Sequence, residues 1–168
     1  LLRSDGCAVA CGLNRDGQCN IPPLDDGVTY IQVSAGSKHT VLLRSDGCAV
    51  SCGLNIDGQF PPLDEGVTYT QVSAGGYHTV LLRSDGCAVA CCRLHAPGLC
   101  IIPPLDESFT YTQVSAGREH SVLLKSDGCA VACGLNAQGQ CNIPPLDDGV
   151  TYTQVSAGGH TVLLRSDG

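Results

Sequence analysis

Apolar and polar residues alternate in short runs along the chain, and the second repeat shows the pattern most plainly. Val28–Ala35 (VTYIQVSA) alternates and ends at a glycine, which predicts a β-strand, named strand A. His39–Arg44 (HTVLLR) and Cys48–Cys52 (CAVSC) predict strands B and C. The Asp-Gly dipeptide at 46–47 indicates a two-residue hairpin turn in which glycine supplies the positive φ. Each unit is therefore predicted to be a three-stranded antiparallel meander.

The pattern recurs along the whole chain. The phrase LL[RK]SDG has spacings of 39 to 42 residues and begins at Leu1, Leu42, Leu81, Leu123 and Leu163. A period near 40 residues is typical of propellers, solenoids and other arrays of repeats. We expect residues 1–168 to form a single repeat domain, with units starting near 1, 42, 81 and 123 and a partial unit at 163.

One meander buries too little apolar surface to be stable alone, so the units must pack on one another. Twisted meanders joined by long crossovers favour radial stacking, and the predicted fold class is an all-β propeller of about four units. The segments ending in Pro-Pro would add at best an extended edge as a fourth strand, because proline lacks an N–H for the ladder. The strands over 150–165 either pair with residues 7–11 to close a four-bladed ring, or end an open arc of a larger propeller. The repeated phrase at both ends favours the arc.

Composition and charge narrow the range of partners. The apolar residues are mostly Val, Leu, Ile and Ala, with no Trp or Met, two Phe, 21 Gly and 9 Pro, as expected for an all-β chain. The formal charge is −7 and the nine Lys and Arg are scattered, so we expect no nucleic-acid partner. The negative charge favours binding of a basic protein partner. No apolar run approaches the ~20 residues that span a bilayer, so no membrane partner is expected either.

Twelve cysteines are unusual for 168 residues. Eight of them form four C-A-V-[AS]-C copies, at Cys7/Cys11, Cys48/Cys52, Cys87/Cys91 and Cys129/Cys133. On a strand, positions i and i+4 lie ~13 Å apart, which is too far for one pair to form a disulfide or to chelate one zinc ion. We therefore expect buried thiols that act as small hydrophobic groups, with inter-blade disulfides or a metal site as the alternatives. Reduced thiols favour the cytoplasm or nucleus.

A family resemblance rests on V-S-A-G-x-x-H-[ST]-V-L-L-[RK]-S-D-G-C-A-V-[AS]-C-G-L-N-x-x-G-Q. This pattern resembles the repeat of the regulator of chromosome condensation family, and its short period is most similar to a subgroup with three-stranded blades that includes a β-lactamase inhibitor protein. The resemblance implies a β-propeller, commonly with seven blades. The family's Trp is replaced by Cys11, Cys52, Cys91 and Cys133, so each blade lacks a large packing group.

The resemblance also implies what the protein does. The leading hypothesis is a non-catalytic protein–protein interaction propeller, such as the repeat arm of a HECT-type ubiquitin ligase. The alternatives are a guanine-nucleotide exchange factor for a small GTPase and a proteinaceous enzyme inhibitor. Unit lengths vary by only three residues, so the inserted wedge of the family's exchange factors is not visible. The sequence shows no catalytic motif, and we expect no cofactor.

The repeats differ from one another at two places, the turn between strands A and B and the loop after strand C. In a meander, both places lie at the same end of the blade, where propellers usually bind their partners. We expect a partner-binding face at this end, formed by Arg15, Asp16, Ser37, Lys38, Ile56, Asp57, Gly76, Tyr77, His95, Arg118, Glu119, Ala137 and Gln138.

Two further groups recur in every unit. The D-[DE] pairs lie at the opposite end and lack the Arg or Lys that neutralises each S-D-G aspartate, so they are either solvated turn residues or ligands of Ca²⁺ or a basic partner. They are Asp25-Asp26, Asp64-Glu65, Asp106-Glu107 and Asp147-Asp148. The repeated histidines stand next to Ser or Thr, as in a nucleophilic triad, but four equivalent copies favour a structural bond to a neighbouring backbone. They are His39, His78, His120 and His160.

Overall fold

The computed structural model describes residues 1–54, 60–92, 98 and 100–168. This part of the chain is all-β, as predicted, and its named elements are eleven strands. They are β1 (Tyr30–Ala35), β2 (His39–Arg44), β3 (Ala49–Gly53), β4 (Tyr69–Ala74), β5 (His78–Arg83), β6 (Ala88–Cys92), β7 (Tyr111–Ala116), β8 (His120–Lys125), β9 (Ala130–Gly134), β10 (Tyr152–Ala157) and β11 (Thr161–Arg165).

The strands form antiparallel sheets in simple sequence order. Three sheets have three strands each, β1-β2-β3, β4-β5-β6 and β7-β8-β9, and the last sheet has two, β10-β11. Three-stranded blades are thus confirmed, and the described Pro-Pro segments add no fourth strand to any of them. Strand A begins two residues later than predicted, at Tyr30, because the Val28 N–H closes the preceding turn onto the Asp25 carbonyl at 3.1 Å.

The hairpin between strands B and C has three loop residues, so the predicted two-residue turn is wrong. The Arg44 N–H donates to the Cys48 carbonyl at 2.8 Å, which leaves residues 45–47 in the loop. Gly47 has φ 80°, as its position in the turn predicts. The Asp46 carboxylate accepts the Cys48 N–H at 3.0 Å, and this side-chain bond stabilises the wider loop.

The hydrophobic core lies between consecutive blades. Val41 and Leu43 of β2 pack against Tyr69 and Val72 of β4, and the same arrangement recurs at the next two junctions. Because each blade buries its apolar side chains against the next one, no unit has a complete core of its own. Packing between copies therefore holds the fold together, as in other repeat proteins.

Side chains of strand A extend the hydrogen bonding from blade to blade. The Gln32 Oε1 accepts the Val72 N–H at 2.9 Å, and the Ser34 Oγ accepts the Ala74 N–H at 2.9 Å. Gln71 and Ser73 bond the third blade in the same way, and Gln113 and Ser115 bond the fourth. The A strands therefore lie side by side.

The described blades form an open arc. β11 pairs with β10 alone, and residues 7–11 pair instead with the first residues of the chain through a Leu2–Ala8 bridge. The four-bladed ring closed by residues 7–11 is thus not formed. Val162 and Leu164 of β11 are consequently 55% and 50% exposed, although their counterparts in β2 are fully buried.

Candidate functional site

The two variable segments lie at the same end of the blades. The Leu54 N–H, just after β3, donates to the Lys38 carbonyl in the A–B turn at 2.8 Å. In the blade β7-β8-β9, the Leu135 N–H donates to the Glu119 carbonyl at 2.8 Å. Backbone hydrogen bonds therefore tie the loop after strand C to the A–B turn of the same blade.

The A–B turns are also joined to one another. The Ser37 N–H donates to the Gly75 carbonyl at 3.2 Å, and the Arg118 N–H donates to the Gly158 carbonyl at 2.8 Å. Glycine is needed for this close approach, because a Cβ at Gly75 would meet both the His78 ring and the carbonyl of the next turn. The turns consequently form a continuous row across the blades.

The side chains of this row are mostly exposed. Ser37, Lys38 and Arg118 are exposed, Tyr77 is 46% exposed, and Glu119 is half-buried. We call these five residues the turn ridge. Gly76 is buried, and its N–H donates to the Gly117 carbonyl at 3.1 Å, so it packs within the row and presents no side chain.

The loop after strand C is built around an asparagine. Its Oδ1 accepts a backbone N–H and its Nδ2 donates to a second asparagine, at Asn14 in the first unit and Asn136 in the fourth. The loop side chains beside it are exposed at Arg15, Ala137 and Gln138, and Asp16 is half-buried. Ile56, Asp57 and His95 lie outside the described residues.

The repeated histidines join adjacent blades. The Nε2 of His39 lies 3.1 Å from the Thr79 Oγ1, and the Nε2 of His78 lies 2.8 Å from the Ser121 Oγ. The predicted bond to a neighbouring backbone is therefore wrong, because the ring reaches the hydroxyl that follows the next histidine in sequence. Burial lowers the pKa of both His39 and His78 to about 4, so both rings are neutral near pH 7. They act as inter-blade connections.

At the opposite end, one arginine holds two carboxylates. Arg44 Nη2 lies 2.8 Å from the Asp25 carboxylate and 2.6 Å from the Asp46 carboxylate. The expectation that the D-[DE] pairs lack a cationic neighbour is therefore wrong for the first acid of such a pair. The Cys48 N–H and the Arg44 guanidinium lower the pKa of Asp46. Asp26, the second acid of the pair, is exposed. No cluster of three metal-ligating side chains occurs within the described ranges.

The cysteines divide into two classes. The second cysteine of each pair on β3, β6 and β9 is partly buried, whereas the first is exposed, at Cys7, Cys48, Cys87 and Cys129. The prediction of buried thiols is wrong for these four cysteines, which follow the hairpin at the outer edge of the blade, and for Cys11, which is exposed as well. Cys92 and Cys100 form a disulfide, with Cα atoms 6.0 Å apart. This bridge lies within one unit and involves neither an i, i+4 pair nor two blades.

Comparisons with known proteins agree with this architecture. The model of the Regulator of chromosome condensation (RCC1) repeat matches residues 30–59 and 111–140. A comparison with curated proteins by sequence finds no match. No helix of the described chain is long and apolar enough to cross a membrane.

Solved structures with the same fold are longer than this chain. Prp20p from Saccharomyces cerevisiae is 19% identical with a TM-score of 0.68, over 85% of this chain and 43% of Prp20p. Human WBSCR16 is 20% identical with a TM-score of 0.70, over 86% of this chain and 48% of that protein.

The ectodomain of the receptor kinase CR4 from Physcomitrella patens is 18% identical with a TM-score of 0.75, over 99% of this chain and 47% of the ectodomain. The chain thus spans less than half the length of each of these three proteins. The two matched segments lie in the blades β1-β2-β3 and β7-β8-β9, and β4-β5-β6 repeats the same three strands. Residues 30–59 and 111–140 therefore match the regulator of chromosome condensation (RCC1) repeat, and the chain has the fold of these longer proteins.

Proposed function

We propose that this chain is a non-catalytic protein-binding module and that its partner docks on the turn ridge. The observation that carries the proposal is the row of A–B turns, which differ in sequence, are exposed, and are joined by backbone hydrogen bonds. Loops fixed on a rigid scaffold are the usual place for specificity. Residues 1–168 act in this proposal as one domain, since each blade needs the next for its core.

The chemistry of the ridge suggests the kind of partner. Tyr77 stands between the exposed cations Lys38 and Arg118 on neighbouring blades, and tyrosine and arginine are among the side chains most enriched at interaction hot spots. Exposed acids that form no ion pair among the described residues, such as Asp26 and Glu65, lie at the other end of the blades. An acidic protein surface with an apolar recess for Tyr77 therefore fits the ridge, whereas a basic partner would fit the opposite end.

A binding comparison tests this assignment. The quadruple variant Lys38→Ala, Tyr77→Ala, Arg118→Ala and Glu119→Ala removes the side chains of the ridge, and we expect it to lose the proteins that the unchanged chain retains in a pull-down. The matched control, Asp26→Ala with Glu65→Ala and Asp148→Ala, changes exposed residues at the other end and should retain them. Equal retention by the quadruple variant would refute binding at the ridge.

A second candidate function is nucleotide exchange on a small GTPase. It is favoured by the likeness to Prp20p, whose structure is described together with its binding to Gsp1p and histones. Nucleotide release from a panel of small GTPases tests it, and rates unchanged by the protein would remove it. A HECT-type ligase as the parent protein, an inhibitor role and a cytoplasmic or nuclear location stay predictions.

A further inference from the structure

Two cysteines that are distant in sequence approach each other at the loop end of the blade β1-β2-β3. Cys52 lies in β3, and Cys19 lies in the segment that precedes β1. The Cys52 Sγ is 3.5 Å from the Gln18 carbonyl oxygen, 34 residues earlier in the chain. That carbonyl belongs to the same peptide group as the Cys19 N–H, so the Cys52 thiol contacts the backbone that carries the other cysteine.

Backbone packing on both sides of Cys52 fixes this approach. Thr40 pairs with Cys52 across β2 and β3, and its Oγ1 donates to the same Gln18 carbonyl at 2.8 Å. On the other side, a Cβ at Gly53 would lie 3.1 Å from the Gln18 Cα. Residue 18 is therefore held directly against the end of β3, which keeps Cys19 beside Cys52.

The two thiols are also close enough to influence each other electrostatically. Burial, and after it the charge of Cys19, raises the pKa of Cys52. Both thiols are partly buried, and the Cys19 Sγ donates to the Leu13 carbonyl at 3.4 Å. A thiol is a weak donor, so its bond to a carbonyl costs little to break. Neither sulfur is held by a strong interaction that would oppose a bond between the two.

The next blade fills the same place without a second sulfur. In the unit that forms β4-β5-β6, the glutamine before the Pro-Pro step is followed by Phe60 instead of cysteine. Cys91, the counterpart of Cys52 on β6, packs against the same hydrophobic cluster as Phe60. Apolar contacts are sufficient in that blade, so packing alone does not account for the second thiol in the blade β1-β2-β3.

We propose that Cys19 and Cys52 are a redox-sensitive pair, which a small disulfide such as oxidised glutathione converts into an intramolecular disulfide. The Cys19 thiolate attacks one sulfur of oxidised glutathione, which forms a mixed disulfide and releases one glutathione thiolate. The Cys52 thiolate then attacks the Cys19 sulfur and releases the second glutathione thiolate. The two protons lost by the cysteines pass to the two glutathione thiolates, so two thiols are oxidised and one glutathione disulfide is reduced.

The order of the two steps follows from the surroundings of Cys52. Its raised pKa leaves little thiolate near pH 7, so it attacks slowly in a reaction between two molecules. The mixed disulfide on Cys19 places the target sulfur beside it, and the second step is then intramolecular.

The disulfide ties the loop around Asn14 to the end of β3. The Leu54 N–H already donates to the Lys38 carbonyl at 2.8 Å, so the bridge joins this loop to the A–B turn of the same blade as well. A disulfide that closes a loop of about 30 residues restricts the unfolded chain and thereby stabilises the folded one. We expect the midpoint of thermal unfolding to rise by about 5 °C or more.

Peptide mapping of the 168-residue chain tests the pair. Trypsin places Cys19 in residues 16–38 and Cys52 in residues 45–83. After treatment of the dilute chain with oxidised glutathione and alkylation of the remaining thiols, we expect these two peptides to be linked. The link should be lost in the Cys52→Ser variant. The matched control, Cys48→Ser, removes an exposed cysteine from the same tryptic peptide and should keep the link.

Thermal unfolding followed by circular dichroism completes the test. Oxidation should raise the midpoint of the Cys48→Ser variant by about 5 °C or more beyond its effect on Cys19→Ser, in which the pair is absent. Recovery of residues 16–38 without a link to residues 45–83, a link that persists in Cys52→Ser, or an equal rise in the two variants would each overturn the proposal. No readout involves a partner, so the outcome is independent of the proposed binding at the turn ridge.

Discussion

Mild acid should weaken the contacts between blades, because the histidines that join them are buried and neutral. The rings of His39 and His78 are 3% and 0% exposed, and burial lowers the pKa of each to about 4, against 6.5 for an accessible histidine. Between pH 6.5 and pH 4 the unfolded chain therefore binds more protons than the folded chain. The stabilisation is complete above pH 6.5 and is lost as the pH falls through 4.

The magnitude follows from the linkage between proton binding and unfolding. For each histidine, lowering the pH from 7 to 4.5 should reduce the free energy of unfolding by about 2.4 kcal/mol, or about 5 kcal/mol for the two together. The carboxylates with lowered pKa values, such as Asp46 and Asp85, start from an ordinary pKa of 3.8 and contribute mainly below this range. The histidines should therefore dominate the slope between pH 6.5 and pH 4.5.

Urea denaturation followed by circular dichroism at several pH values measures this slope. Replacement of His78 by Gln keeps a donor for the Ser121 hydroxyl but removes the titrating group, so the contribution of His78, about 2.4 kcal/mol between pH 7 and pH 4.5, should disappear. Replacement of the exposed His160 by Gln is the matched control, because it removes a histidine that joins no two blades in the described structure. A stability that is flat from pH 7 to pH 5, or a slope as steep in the His78→Gln variant as in the unchanged chain, would refute the reasoning.

Three further predictions concern single contacts, each measured by urea denaturation at pH 7. Gly47 and Gly66 have φ 80° and 77°, but a Cβ at Gly47 would meet a threonine side chain whereas one at Gly66 meets open space. Gly66→Ala should cost about 1 kcal/mol and Gly47→Ala clearly more, and equal costs would contradict the steric account. Tyr111→Phe removes a 2.7 Å bond to a proline carbonyl and should cost about 1 kcal/mol, so no change would exclude this bond as a contributor. Ser73→Ala leaves the Ala116 N–H without its acceptor and should cost about 1–3 kcal/mol, an expectation that a neutral result would reject.

Patterns within one unit could be predicted from the sequence. Strand B was predicted with the bounds of β2, His39–Arg44, because its apolar run ends at a clear turn signal. Strand A was predicted too long because Val28 is apolar but belongs to the preceding turn. The sequence pattern alone does not show what the buried tyrosines of strand A do. Each donates its hydroxyl to a proline carbonyl eight residues earlier, as Tyr30 does to Pro22 at 2.9 Å. Their identical spacing in every unit was the available signal.

Contacts between units were harder to predict, because they depend on how the copies dock. The hydroxyl partner of His39 belongs to the next blade, 40 residues away. The second carboxylate held by Arg44 is 19 residues earlier in the chain. The variation between units predicts an exposed turn residue at position 76, but the neighbouring turn packs on Gly76 and buries it. The common location of the variable segments could be predicted, because strand direction in a meander determines it.

The inter-blade bonds also bear on how fast such a chain can fold. β-sheet proteins usually fold slowly because their contacts join distant parts of the sequence. Here the bonds from His39, His78 and His120 to the next blade span 40, 43 and 41 residues, one period each. Further blades would lengthen the chain without lengthening these loops, so relative contact order falls as units are added. Folding can then begin at any pair of blades and spread to its neighbours, and a closure between first and last blade is the one step that must wait for the whole arc.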